Sequence, residues 1–375
     1  MAKAGFWKAD WFLGVFVTLA MLLVSGSELV QSLERKAYDM GVQASSRVPS
    51  DRVAIIAIDD QSIANLGRWP WSRELHARMT NLLAGAQAKV IGNTIFFSEP
   101  QRDPGYGYIV RLMDIVAQAA GEAAVPSLEN EKIAAVLTEA EAALNTDRKL
   151  AESYGKAGSV LLPVLFELGE ARGKPDKALP EFVVRNALTK VQAADGIALP
   201  AVQVQIPVDV LGTQTVALGH LNSSPDVDGG IRSEPLVIQY FDSFYPSLSL
   251  MIAARSLNLG PADIRVRLGE EVQLGKLRIA TDSATRMNSF FYKSVEGRPA
   301  FQLDSFYDVL SGKIPASKYA GKIVLIGATA AGVGAPQVTP VSPSMPPVLT
   351  LAHTVSSILQ EHFFVTPTWG AWASL

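Results

Sequence analysis

The chain has 375 residues, a formal net charge of -3 and no cysteine. A near-neutral chain argues against nucleic acid as a partner, because phosphate binding needs a basic surface, and a chain without cysteine excludes disulfides, thiolate catalysis and Cys-ligated zinc. Only 18% of the residues are charged and 48% are apolar, a balance that indicates contact with a membrane.

The first apolar segment runs from Trp11 to Val30 and contains one charged residue, Glu28. A helix of about 20 residues, with a rise of about 1.5 Å per residue, spans a bilayer core of about 30 Å. We therefore predict a cytoplasmic tail at residues 1–10 and an uncleaved transmembrane helix at residues 11–30. Membrane lipid is then an expected partner.

A cleaved signal peptide is the alternative interpretation of the same segment. Lys3 and Lys8 would form its basic start, and the small residues 25–27 its cleavage site. However, helical spacing continues beyond the apolar segment through Leu29, Leu33, Ala37 and Met40. This continuity favours an anchor that runs on as a stalk. The stripe would serve either as a seam between copies of the chain or as a surface packed on its own domain.

The C-terminal residues 363–375 are uncharged and rich in aromatic side chains, including Trp369 and Trp372. Paired tryptophans are typical of a membrane interface. We predict that this segment is the start of a second transmembrane helix. The folded domain is then assigned to residues 31–362.

The middle of the chain alternates short apolar runs with segments of helical spacing. Buried strands are predicted at 53–59, 89–97, 158–166, 216–220, 235–241 and 322–327. Helices are predicted at 72–88, 247–258 and 349–359, with surface helices within 103–156. Residues 264–292 alternate as in an antiparallel meander. Strand, helix and strand in succession indicate parallel crossovers, so the fold class is α/β: a mixed, largely parallel sheet with flanking helices, an N-terminal transmembrane helix and a stalk.

Polar residues lie at or after the carboxyl ends of the predicted parallel strands, where open sheets bind ligands. On this argument the candidate ligand-binding residues are Asp59, Asp60, Ser98, Glu99 and Thr329, and Trp69 is added because its ring could stack on a ligand. For the two aspartates, the alternative is a structural role such as helix capping. For Trp69, the alternative is that its ring packs a loop against the core. For the glycine-rich segment 327–334, the alternative is a plain turn.

Catalytic and metal-binding motifs are missing from the sequence. The histidines at 76, 220, 353 and 362 lack the spacing of a helical zinc site, and no nucleophile elbow is present. The glycine-rich segment 327–334 has neither the ending of a phosphate loop nor the spacing of a dinucleotide fingerprint. We expect no cofactor, no metal and no enzymatic activity in residues 1–375, which counts against an anchored hydrolase.

Three segments in succession resemble one known family. They are VAIIAIDDQSIANLGRWPWSRELHARMTNLLAGAQAKVIGNTIFFSEP at 53–100, GHLNSSPDVDGGIRSEPL with YPSLSL at 219–250, and GKIVLIGATAAGVG at 321–334. Together they resemble the second class of CHASE domains, the "cyclases/histidine kinases associated sensory extracellular" domains of bacteria. The resemblance extends over most of residues 30–365.

The resemblance implies a sensory domain outside the bacterial cytoplasmic membrane. In the family, an N-terminal transmembrane helix precedes the domain, and usually three more helices and a cytoplasmic output module follow it. That module is commonly an adenylate or guanylate cyclase, a Ser/Thr protein kinase or a histidine kinase. The expected partners are an extracytoplasmic ligand or protein and further copies of the chain, in a homo-oligomer or membrane complex through the transmembrane and stalk helices.

The sequence departs from the family pattern at three places. Asn93 and Ala335 stand where the family usually has aspartate, and residues 346–353 replace a Pro-Gly-Val-Glu-Ile-His-Ala-like run. Either the ligand differs, or the pocket has decayed. The alternative function is therefore an envelope scaffold or assembly protein that uses this domain to bind partners.

Overall fold

The computed structural model describes residues 11, 14–17, 28–101, 103, 105–122, 128–294 and 297–365. The predicted tail at 1–10 and most of the predicted membrane segment at 11–30 lie outside these residues, as do residues 366–375 of the predicted second membrane helix. Within the described ranges, no helix combines the length and the apolar character needed to cross a membrane.

The described elements alternate between helices and short strands. The α-helices are α1 Glu28–Ala44, α2 Asp60–Leu66, α3 Arg73–Gly85, α4 Tyr106–Glu122, α5 Leu128–Leu144, α6 Thr146–Ala157, α7 Glu181–Val184, α8 Asp209–Gly212, α9 Leu248–Ser256, α10 Phe306–Leu310 and α11 Pro347–Gln360. The strands are β1 Val53–Ile58, β2 Val90–Asn93, β3 Val160–Leu168, β4 Val191–Gln192, β5 Leu199–Gln205, β6 Ala217–His220, β7 Ser233–Pro235, β8 Val237–Tyr240, β9 Ser243–Pro246, β10 Ile264–Arg267, β11 Glu271–Leu274, β12 Leu277–Ala280, β13 Arg286–Ser289, β14 Gln302–Ser305, β15 Ile323–Ala328, β16 Gln337–Thr339, β17 Ser342–Met345 and β18 Phe363–Phe364.

The described strands build a nine-stranded central sheet in the order β14-β1-β15-β2-β3-β5-β8-β9, with β6 paired to β3. The strands β14, β1, β15, β2, β3 and β6 all run parallel. Strand β5 is antiparallel to β3, and β9 is antiparallel to β8. The predicted α/β class with a largely parallel sheet and flanking helices is therefore confirmed.

Helices cover both faces of this sheet because its central strands are apolar on both sides. In β1, Ile55 belongs to the core that α9 and α11 build on one face. Its neighbour Ile56 belongs to the opposite core, to which α3 and α6 contribute. Strand β1 is buried throughout and β15 is buried up to Gly327, and both are continuous apolar runs in the sequence, as predicted.

The structure differs from the predictions in several segments. Strand β2 ends at Asn93 rather than at residue 97, and the meander ends at Ala280, since β13 pairs with β7 and β18 in a separate sheet. Phe363 and Phe364, assigned above to the start of a membrane helix, form β18 against β13. These two residues therefore do not begin a helix as predicted: α11 ends before Glu361, which is in the left-handed region, and the two aromatic side chains pack beside a hydrophobic core.

One glycine sets how closely α9 approaches the sheet. A Cβ atom added to Gly219 in β6 would lie 2.5 Å from the Cα of Leu248 at the start of α9. Real Cβ atoms do not tolerate such a contact with backbone, so only glycine allows this packing. The close approach also fixes the next residue, His220, between β3 and the beginning of α9.

Candidate functional site

A cavity of about 430 Å³ lies at the carboxyl ends of the parallel strands β2, β3, β6 and β15. Ligand-sized cavities in proteins begin at about 300 Å³, so this space suits a small molecule. The strand side of the cavity is lined by Ile95, Leu165, His220 and Ala328. The facing wall comes from residues 231–234, from β13 and from the first turns of α11.

Three side chains in the cavity wall carry buried polar atoms that have no hydrogen-bond partner among the described residues. These atoms are the two ring nitrogens of His220, Oε1 of Gln337 and Oγ1 of Thr350. Leaving one such group unpaired costs about 1–3 kcal/mol, and native proteins pair most of them. Their concentration in one cavity indicates a surface shaped to pair with a bound molecule.

His220 is neutral in this environment. The residue is 1% exposed, and burial lowers the pKa of its imidazole from the usual 6.5 to about 3. A neutral imidazole offers one donor and one acceptor. His220 therefore presents both kinds of hydrogen-bonding group from the end of β6.

Glu234 is the acidic group of the cavity. Burial raises the pKa of its carboxyl, and hydrogen bonds from Ser249, Ser247 and Thr354 act in the opposite direction. The hydroxyl of Ser249 donates to Oε1 of Glu234. The carboxyl is thus held by neutral hydroxyl donors in a place where its charge is poorly solvated.

The cavity wall at residues 231–234 also contacts α1 (Glu28–Ala44), the helix at the position of the predicted stalk. The Arg232 guanidinium donates two hydrogen bonds of 2.8 Å to the carboxylate of Asp39 in α1. It also pairs with Asp226 and Asp228, each at 2.9 Å. These hydrogen bonds from Arg232 are the main cause that lowers the pKa of Asp228. The result is a bidentate, charge-assisted link between the stalk and the wall.

Apolar packing reinforces this link. Ile231 and Phe291 line the cavity, and the same two residues form a small core with Val42 of α1. The Tyr38 hydroxyl of α1 donates to the carbonyl of Ser289, another residue of the cavity wall. One layer of residues therefore separates the cavity from the stalk.

The structure places the predicted site residues around this edge of the sheet, and Trp69 alone of the six lines the cavity. Asp60 accepts a hydrogen bond from the amide of Ala331 at 3.2 Å, so it holds the glycine-rich turn. The amide of Thr329 in that turn donates to the carbonyl of Ile58, the last residue of β1. Asp60 and Thr329 are thereby brought to the ends of neighbouring strands.

The remaining three predicted residues do not line the cavity. Asp59 caps α2, with its Oδ1 accepting from the amide of Ser62 at 2.8 Å and from the hydroxyl of Ser305 at 2.9 Å. Ser98 accepts from the side chain of Gln205, and Glu99 is exposed. A ligand-binding role for these residues stays a prediction.

The residues that sequence reasoning missed were marked by two signals. His220 is the last residue of β6, so it satisfies the same strand-end rule that selected Asp59. Two of the three departures from the family pattern fall on the cavity: Ala335 lines it, and so do four residues within 346–353. Gln337 and Thr350 do not follow the carboxyl ends of the parallel strands, so the strand-end rule does not select them, and only the departure at 346–353 pointed to Thr350.

Replacing His220 with leucine is expected to keep or raise the free energy of unfolding by up to about 1 kcal/mol, because the change removes buried groups that lack partners. The matched control is His353→Leu. The Nδ1 atom of His353 accepts from the amide of Tyr292 at 3.0 Å, so this change leaves a buried donor unpaired and should cost about 1–3 kcal/mol. Urea unfolding followed by circular dichroism measures both. An equal loss in the two variants would show that His220 has a structural role.

Comparison with known proteins places the chain in one family. No curated protein and no solved structure matches it. The family model for the CHASE2 domain matches residues 14–375, which is nearly the whole chain. That match agrees with the order of the three resembling segments and with the parallel sheet they build. The chain therefore belongs to the CHASE2 domain family of extracellular sensory domains.

Proposed function

We propose that this chain is the sensory part of a bacterial membrane signalling protein. The domain lies outside the cytoplasmic membrane, binds a small molecule in the cavity, and passes its occupancy through α1 and the membrane helices to a cytoplasmic output module such as a nucleotide cyclase or a protein kinase. The observation that carries the proposal is the shared wall at residues 231–234, which lines the cavity and holds the stalk.

The physical basis of the relay is a difference in contacts between two states. A ligand shifts an equilibrium only by as much as it binds the two arrangements differently. Ile231 lines the cavity and belongs to the same small core as Val42 of the stalk, so a molecule that moves this wall changes the packing of that core. Arg232 moves with the same backbone and transmits the displacement to Asp39.

A topology measurement tests the location. Alkaline phosphatase fused after residue 200 is expected to be active, because this enzyme folds only in an oxidising compartment outside the cytoplasm. A cytoplasmic reporter fused at the same position should be inactive. The reverse pattern would contradict the proposed sensor.

The membrane-proximal helices are proposed to pair in an oligomer. Leu33 and Met40 of the stalk stripe are 58% and 64% exposed, whereas Tyr38 and Val42 face the domain. A single cysteine at successive positions from 25 to 40 in this cysteine-free chain should crosslink with a period of three to four residues, as a helical seam requires. A series without any crosslink would remove the basis for the oligomer.

An envelope scaffold is the second candidate. The observation that favours it is a group of exposed apolar side chains on α4 and α5, including Tyr108, Ile115 and Val136. A scaffold needs that surface and makes no use of the cavity. Substitution of Ile115 with a charged residue should then abolish assembly with partners, while His220→Leu leaves the cellular phenotype unchanged. The sensor account expects the opposite pattern.

A further inference from the structure

The cavity wall contains an acidic side chain and neither lysine nor arginine among the described residues that line it. Of the described residues that line the cavity, Glu234 is the one that carries a formal charge. Three aromatic side chains, Trp69, Phe96 and Phe291, line the same space, and aliphatic residues share the remaining surface with uncharged polar ones. A carboxyl group beside aromatic and aliphatic surface is the combination that proteins use to hold organic cations.

The carboxyl group of Glu234 lacks a cationic partner within the described residues. Its contacts are the hydroxyl groups of Ser249, Ser247 and Thr354, and no positively charged residue contributes to the shift of its pKa. Burial disfavours the charged form of the Glu234 carboxyl group. A cation bound in the cavity would offset this lost solvation, because it would donate a charge-assisted hydrogen bond to the carboxylate. An anionic molecule would meet the opposite effect, because two like charges in a poorly solvated space repel.

Building on the sensor function proposed above, we propose that the ligand is a small organic amine. Its ammonium group faces Glu234, and its apolar body lies against the aromatic and aliphatic wall. The unpaired atoms of His220, Gln337 and Thr350 receive the remaining polar groups of the molecule. Glu234 and Arg232 belong to the same segment of backbone. An ammonium group that binds Glu234 therefore acts on the segment whose Arg232 holds the stalk.

The test compares three probes of matched shape: 2-phenylethylamine, 2-phenylethanol and 3-phenylpropionate. Ligand-observed NMR titration on the full 375-residue chain in detergent gives the affinity of each. The amine should bind at least about tenfold more tightly than the alcohol, since one charge-assisted hydrogen bond is worth that much, and the carboxylate should bind most weakly. The order of the three affinities is measured on the wild-type protein, so it does not depend on whether a variant folds.

Two variants identify the group responsible. Glu234→Gln keeps an acceptor for Ser249 and removes the charge, so the preference for the amine over the alcohol should disappear. The control Glu152→Gln removes the same charge at an exposed position of α6 and should leave the preference intact. A preference that survives Glu234→Gln would overturn the assignment.

Further outcomes separate this inference from the proposed function. If the alcohol or the carboxylate binds as tightly as the amine, and His220→Leu weakens that binding, the cavity remains the sensory site and the amine class is overturned. Failure of the amine to bind overturns the inference alone. If His220→Leu and Glu234→Gln both leave the binding of every probe unchanged, the probes bind elsewhere, and the cavity is contradicted as the site of both proposals.

Discussion

Substituting Arg232 with glutamine is expected to release the stalk helix from the domain and to lower the free energy of unfolding by about 2 kcal/mol. The change removes the bidentate hydrogen bonds to Asp39 and leaves this carboxylate near those of Asp226 and Asp228 without their shared cation. The side chain of Arg232 is 12% exposed, whereas those of the aspartates are 24% to 43% exposed. Solvent therefore offsets part of the cost expected for a fully buried pair.

Urea unfolding gives the change in stability, and limited proteolysis of residues 28–44 reports release of the stalk. The control is Arg278→Gln, whose partner Glu271 is 3.7 Å away and whose side chain is 70% exposed. Such a surface pair contributes about 0–1 kcal/mol, so this variant should behave like the wild type. Asp39→Asn tests the stalk side, because Arg232 keeps two carboxylates in that variant. Equal proteolysis of wild type and Arg232→Gln would show that the ion pairs of Arg232 do not hold the stalk, since the pair between Arg35 and Asp228 at 3.5 Å remains in that variant.

Adding one methyl group at Gly219 is expected to cost at least about 3 kcal/mol of folding stability, at the upper end of overpacking effects. The new Cβ of Gly219→Ala would lie 2.5 Å from the Cα of Leu248 and 2.7 Å from its amide nitrogen. Backbone atoms at the start of α9 have no rotamer through which to move aside. The helix must shift away from β6, and the wall around His220 opens with it.

The matched control is the same substitution at Gly85, the last residue of α3, where no described atom lies within 4 Å of an added Cβ. Alanine favours helix over glycine by up to about 1 kcal/mol, so Gly85→Ala should stabilise the protein slightly. Thermal unfolding compares the two variants. A Gly219→Ala protein as stable as the wild type would contradict the close approach of α9 to the sheet.

The part of the fold that sequence reasoning recovered is the part governed by local apolar pattern. The runs at Val53–Ile58 and Ile323–Ala328 are buried on both faces and form the centre of the sheet. The small meander also followed from alternation, but β13 did not join it, because its partners β7 and β18 come from distant parts of the chain. Pairing at such sequence separation leaves no local pattern to read.

The cavity lies at the edge of the sheet to which topology pointed, although of the six predicted residues only Trp69 lines it, and ligand binding at this edge stays a prediction. The rule that ligands bind beyond the carboxyl ends of parallel strands led to the edge where the cavity lies. The side chain of Asp59 nevertheless caps α2. Its position between β1 and α2 allows capping as well as ligand binding. Strand β16 and helix α11 also contribute to the cavity wall, and their residues Gln337 and Thr350 reach the cavity only through tertiary folding.

The central claim is that the state of the cavity is transmitted to the stalk through residues 231–234. Hydrogen exchange of the full chain, compared between wild type and Thr350→Phe, tests this most directly, because Thr350 lines the cavity from α11 and the larger side chain takes up cavity space without changing a residue of α1. The account predicts altered exchange at Glu28–Ala44 together with the segment around Arg232. A change confined to α11 and the cavity wall, with the amides of Glu28–Ala44 exchanging as in the wild type, would contradict it.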